Sequence, residues 1–145
     1  MKIANKRAFF DYQITEKFEA GINLYGYEVK SLKLGHADLT GSYVKISGSE
    51  AYLINAKIFP YAAANISEYD QRRTRKLLLH KAELISLKNK IEGSNNMALV
   101  PISFYTKHNL IKVEIGLGKG KRKFEKKENI KKKDIERQIE QELQS

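Results

Sequence analysis

A chain of 145 residues with 27 Lys and Arg against 17 Asp and Glu has a formal charge of +10, and that excess points to a polyanion as partner, because each neutralised phosphate releases a condensed counterion. The length suits one domain, 41% hydrophobic residues suffice for a core, and the absence of cysteine excludes disulfides and thiolate zinc sites and fits a cytoplasmic setting. No apolar run approaches the ~18 residues of a membrane span, and Met1 to Tyr12, with Lys2, Lys6, Arg7 and Asp11, does not read as a signal peptide.

Phe10, Tyr12 and Ile14 alternate with Phe9, Asp11 and Gln13, the period of a half-buried strand. A short helix is expected around Tyr27–Leu34, closed by Gly35. Ser47-Gly48-Ser49 reads as a hairpin turn before a run in which Tyr52, Ile54, Ala56 and Ile58 alternate with Leu53, Asn55 and Lys57. From Thr74 to Glu92, Leu77, Leu84 and Ile91 recur every seven residues, flanked by Leu78, Ala82, Ile85 and Leu87. That pattern predicts one helix, with Thr74 as N-cap and Gly93 as left-handed C-cap, covering an open end of the body. Val100, Ile102 and Phe104 alternate with Pro101, Ser103 and Tyr105, and Ile111, Val113 and Ile115 with Lys112 and Glu114, about a turn at Lys107-His108-Asn109. Such short spacing implies antiparallel pairing in a mainly β fold with flanking helices, and a small closed barrel fits it.

Beyond Gly118 the composition changes. Residues 1–118 hold 17 basic and 11 acidic residues, residues 119–145 hold 10 and 6, and within 119–133 the ratio is 9 to 2. Phe124 and Ile130 are the large apolar residues of that last stretch, too few to bury its backbone. The chain therefore divides into a body, 1–118, and a basic flexible tail, 119–145. The run Gly116-Leu117-Gly118-Lys119-Gly120 matches no phosphate-loop pattern and reads as a flexible joint.

His36, His80 and His108 lie in separate segments without a motif partner, Glu28 and Glu83 are isolated acids, and no H-E-x-x-H is present. No catalytic residue, metal or cofactor is expected. Arg72-Arg73-Thr74-Arg75-Lys76 opens the expected helix, where the dipole disfavours cations. Contact with RNA phosphate accounts for them, and a solvated helix start paired with Asp70 is the plainer alternative. Phe124, within Lys121-Arg122-Lys123-Phe124-Glu125-Lys126-Lys127, suits base stacking beside phosphate contacts; the plainer alternative is one exposed Phe.

Several runs share an order: Asn5-Lys6-Arg7-Ala8 with Asp11-Tyr12, Phe18-Glu19-Ala20-Gly21-Ile22, Gly26-Tyr27-Glu28-Val29-Lys30-Ser31-Leu32-Lys33, Arg73-Thr74-Arg75-Lys76-Leu77-Leu78-Leu79-His80, and Gly118-Lys119-Gly120-Lys121 followed by Phe124-Glu125-Lys126-Lys127. Over nearly the whole chain this resembles the SsrA-binding (small protein B) family. The resemblance implies an oligonucleotide-binding-type β-barrel that binds the tRNA-like domain of transfer-messenger RNA as a monomer, one to one, in place of the missing anticodon arm. It further implies entry into ribosomes stalled on truncated messages, tagging of the nascent chain and ribosome rescue, known as trans-translation.

Carried over position by position, Asn5 and Glu19 match contacts to the tRNA-like RNA, with Lys6, Lys30 and Lys33 in the adjoining motifs; Arg73, Arg75 and Lys76 complete the RNA-binding set. Lys119, Lys121, Arg122, Lys123, Phe124, Glu125, Lys126 and Lys127 match the segment that reaches the decoding centre, and residues beyond, with Lys131, Lys132 and Lys133, the tail in the empty messenger channel. Phe124 stands where Tyr or His is frequent, Glu125-Lys126-Lys127 where Asp-Lys-Arg is usual, Gln71 for a common proline and Asn109 for a common glycine. Lysine at 127 offers a point charge in place of a bidentate fork. Ile135, Ile139 and Leu143 fall on one helical face, so the tail is expected to be disordered when free and helical only on the ribosome; a helix already docked on the body is the alternative. A rival reading is a structural ribosomal protein held permanently in ribosomal RNA, against which the ordered motif set argues. A membrane-surface arm is disfavoured because 119–133 lacks a large apolar face.

Overall fold

The computed structural model describes residues 1–64, 66–94 and 96–121. In chain order these form β1 (Lys2–Ala4), α1 (Ala8–Asp11), β2 (Tyr12–Ile22), α2 (Gly26–Lys33), β3 (Ala37–Asp38), β4 (Tyr43–Ser47), β5 (Glu50–Ile54), β6 (Lys57–Ile58), a 3-10 turn at Ala62–Ala64, β7 (Arg75–Leu78), α3 (Lys81–Glu92), β8 (Met97–Lys107) and β9 (Leu110–Gly120). Over the described residues the fold is mainly β with three helices. Seven strands form one antiparallel sheet in the order β1-β8-β4-β5-β7-β2-β9, in which β8 also pairs with β9, and β3 pairs with β6 apart from it. The core gathers Leu32, Leu39, Leu53, Ile58, Leu87, Phe104, Val113, Ile115 and Leu117.

The turn chemistry places both hairpins where the sequence suggested. Gly48 (φ 63°) joins β4 to β5, and His108 (φ 51°) with Asn109 (φ 63°) joins β8 to β9. Gly35 (φ 77°) follows α2. In β8, Leu99 to Phe104 are all buried, because the strand feeds two clusters. Leu99 and Phe104 join the main core, while Val100 and Ile102 pack with Ala8, Tyr12 and Ile14. A register shift between Pro101 and Ser103 turns the strand over between them.

Four expectations need correction. Phe9, Phe10 and Asp11 lie in α1, not in a strand. In β5 the buried residues are Ala51 and Leu53, not Tyr52 and Ile54; the phase changes at Asn55 (φ 65°), after which Ala56 and Ile58 are inside. The helix expected over Thr74–Glu92 is a strand followed by a shorter helix. Arg75 and Leu77 face inward while Lys76 and Leu78 face outward, and β7 pairs with β5 and β2. The helix begins after His80, whose N–H donates to the Glu83 carboxylate at 3.2 Å, so His80 and not Thr74 is the N-cap. Gly93 closes it at φ −81°, not in the left-handed region.

Gly116 and Gly118 are the fourth case. They lie inside β9, which pairs with β2 on one edge and β8 on the other as far as Lys119. A Cβ on Gly118 would stand 2.6 Å from the Gln13 carbonyl oxygen, and one on Gly116 2.9 Å from both Ile14 and Ile102. These glycines serve close strand contact. The strand continues to Gly120, beyond the expected end of the body near Gly118, and Lys119 is one of its residues.

Candidate nucleic-acid interface

The first group of site residues lies on the outer side of β2, β8 and β9. Glu19 sits opposite Glu114 of β9, and its exposed carboxylate accepts from the Tyr105 hydroxyl and from Lys107 Nζ at 3.4 Å. The Tyr105 hydrogen bond, offset in part by burial and aided by Lys107, holds the Glu19 carboxyl below its ordinary 4.5. Burial and the Glu19 bond push the Tyr105 hydroxyl up, so it remains a donor. Glu19 is thus an ionised acceptor at neutral pH. A carboxylate offers about four lone pairs, so acceptor capacity remains for amino groups or ribose hydroxyls. Lys17, ion-paired with Glu114 at 3.8 Å, borders the same patch.

The second group is built around Glu28, which has no exposed surface. It is the third residue of α2 and accepts from the Tyr25 N–H at 2.9 Å, closing the helix start. Its carboxylate also accepts from Tyr69 Oη (2.8 Å), Arg75 Nε (2.8 Å) and Arg73 Nε (3.2 Å). Burial alone would raise its pKa; Arg73, the Tyr25 amide, Arg75 and Tyr69 outweigh this and leave it lowered. Burial and the bond to Glu28 push the Tyr69 hydroxyl up to about 12. Above this hub, Arg73 lies 4.2 Å from the Tyr25 ring centroid, Tyr25 stacks on Tyr27 at 5.4 Å, and Tyr27 meets Tyr69 edge-on at 5.1 Å. Ser31 Oγ donates to the Phe59 carbonyl at 2.8 Å and ties α2 to the chain after β6.

The residues singled out from sequence fall into distinct places. Lys6, Lys30 and Lys33 are exposed, and Lys30 Nζ lies 5.5 Å from the Tyr61 ring centroid. Asn5 is 8% exposed; its Nδ2 donates to the Pro101 carbonyl at 2.9 Å and its Oδ1 accepts from the Arg7 N–H. Its side chain holds β1 to β8, with little surface left for RNA. Arg75 is 0% exposed and also donates to the carbonyls of Ala56, Gln71 and Arg73, so in this structure no phosphate can reach it. The direct contact expected of Arg75 becomes a positioning role. The basic run does not start a helix, which removes the dipole objection; the Arg72 N–H donates to Asp70 Oδ1 at 3.0 Å. Lys76 pairs with Glu50 at 2.8 Å. Lys119 is exposed on β9, and Lys121 donates from Nζ to the Phe9 carbonyl at 2.8 Å. Arg122, Lys123, Phe124, Glu125, Lys126, Lys127, Lys131, Lys132, Lys133 and the tail face of Ile135, Ile139 and Leu143 lie outside the described residues.

Sequence reasoning missed Tyr105 and Lys107 as partners of Glu19, and Tyr25, Tyr61 and Tyr69 around the second group. Tyr25, Tyr61 and Tyr69 stand outside any strand alternation, and that was the available signal. Among the described residues no cluster of His, Asp or Glu could hold a metal ion, and no helix is long and apolar enough to cross a membrane.

The SsrA-binding protein of Malacoplasma penetrans (strain HF-2) is 45% identical over 136 residues, covering 94% of this chain and 92% of that protein. The SsrA-binding protein of Sulfurihydrogenibium sp. (strain YO3AOP1) is 49% identical over 136 residues, covering 94% and 89%. A chain from a solved structure described as "tmRNA-SmpB: a journey to the center of the bacterial ribosome" aligns with a TM-score of 0.71 at 44% identity, covering 89% of this chain and 94% of that one. The family model described as SmpB protein matches residues 2–145, and this chain belongs to the SmpB, or SsrA-binding protein, family.

Proposed function

We propose that this chain is an RNA-binding adaptor, not an enzyme, that binds the tRNA-like domain of transfer-messenger RNA and carries it to stalled ribosomes for trans-translation. The match to the SmpB family along residues 2–145 carries the reading, because it spans both patches and the tail. The relatives are named for binding SsrA RNA, and the structural neighbour is described with tmRNA and the bacterial ribosome. None is named as a ribosomal protein, so the permanent-component reading is not favoured. The site of action on this reading is the cytoplasm.

The sheet is read as a closed barrel of the oligonucleotide-binding type. Support comes from the pairing of β8 with both β4 and β9, which brings the strand order back to its start. A body ending after Gly120 and a basic tail divide the work: Glu19, Lys6, Lys30 and Lys33 meet the RNA, and Lys121 to Lys133 meet the decoding centre and messenger channel.

Pull-down of tagged protein with sequencing of bound RNA should enrich one tRNA-like species. Stoichiometric recovery on salt-washed ribosomes would overturn the adaptor reading. For the site itself, Glu19→Ala should weaken the cognate RNA by about 1–3 kcal/mol with thermal stability nearly unchanged. Unaltered affinity in filter binding would remove Glu19 from the interface.

A further inference from the structure

Beside the Glu28 hub lies a notch of about 200 Å³ lined by Tyr27, Pro60, Tyr61, Ala62, Ile66 and Tyr69. It is smaller than the ~300–1,000 Å³ of sites that enclose cofactors, and three tyrosines and a proline are among its six lining residues. Tyr27 and Lys30, three residues apart on α2, share a helix face, and Lys30 Nζ stands 5.5 Å from the Tyr61 ring centroid. A cation at the rim of an aromatic-walled slot is the arrangement that receives a flat base and its phosphate together.

Two of the three tyrosine walls are preformed. Tyr69 donates to Glu28 at 2.8 Å and accepts from Arg75 Nη2 at 3.1 Å, so the buried ion cluster fixes its ring. Tyr27 is held edge-on to Tyr69 at 5.1 Å and backed by Tyr25, which Arg73 covers. A slot ordered before binding loses little rotamer freedom on binding. This gives the buried Arg73–Glu28–Arg75 cluster a task, although Arg75 is out of reach of any ligand.

We propose that the Tyr27–Tyr61–Tyr69 notch takes one unpaired nucleobase of single-stranded RNA, with the adjoining phosphate on Lys30. The proposal deepens the RNA-adaptor reading and rests on it. It commits to base stacking in the notch, where electrostatic attraction alone would need only the lysines.

The test uses the full chain and three probes: a tRNA-like transcript, a single-stranded oligoadenylate octamer, and an abasic ribose-phosphate octamer. The wild type should bind the oligoadenylate at least tenfold tighter than the abasic octamer, as stacking of one base provides. Tyr61→Leu should remove that difference without changing abasic binding, and Tyr61→Phe, which keeps the ring, should restore it. Tyr43→Leu, at an exposed tyrosine of β4 that does not line the notch, should leave it intact. Equal wild-type affinity for the two octamers, or a Tyr61→Leu protein that still discriminates, overturns the proposal while transcript binding leaves the adaptor reading standing. A wild type that binds no transcript overturns both.

Discussion

A carboxylate with no contact to water is stable only when its lone pairs are occupied, and Glu28 meets that condition with two arginines, a tyrosine and an amide. Removing it leaves Arg75 buried and unpaired, so Glu28→Ala should cost about 3–5 kcal/mol, measured by urea unfolding. The folded pKa of Glu28 lies below the ordinary 4.5. Its contribution is therefore present above 4.5 and lost as pH falls through the folded value. Stability of the wild type should drop on that acid limb, and Glu28→Gln should flatten the drop; parallel curves for the two proteins would assign the acid sensitivity elsewhere. The sequence displayed the charges of Arg73 and Arg75 but not their burial, because their partner lies 45 and 47 residues earlier. Glu19 was legible through its motif, whereas its partner Tyr105, 86 residues away, was not.

At the scale of elements, periodicity misled where two elements shared one apolar pattern. Leu77, Leu84 and Ile91 keep a seven-residue spacing across a strand, a turn and a helix, since both elements pack on the same core. Leu77 belongs to a strand because β2 and β5 each leave it a pairing edge, a fact of tertiary context that local propensity cannot carry. Turns were legible, because positive φ selects Gly and Asn. The glycines of β9 were legible only as glycines. Their reading as close-contact positions predicts that Gly118→Ala is severely destabilising, since its Cβ would press on the Gln13 backbone, while Gly120→Ala, with open space around it, changes the melting temperature little. A flexible joint would give the opposite: both substitutions mild. Thermal melts of the two variants separate the readings.

For the molecule as a whole, body and tail should separate in function. On the proposed division of labour, in which the phosphate contacts belong to the body, deleting residues 122–145 should leave the slope of log K against log salt for the isolated tRNA-like RNA nearly intact. The same deletion should abolish peptide tagging on stalled ribosomes; a truncated protein that still supports tagging would end that division of labour. Antiparallel pairing and a mainly β fold could be read from the strand spacing. The hairpin of β8 with β9 could be read from its turn, but the pairings of β8 with β1 and β4 could not, since they join residues far apart in the chain. The pairing of β2 with β9 has a consequence for how the protein is made. Most of β2 finds its partner in β9, whose residues Leu110–Gly120 emerge last among the described strands. At translation rates of about 5–20 residues per second, β2 waits on the order of 5–20 seconds with an open edge. The chain therefore completes its sheet only once β9 has been made, and a message broken before the β9 codons yields a product with β2 and β8 left exposed to aggregation.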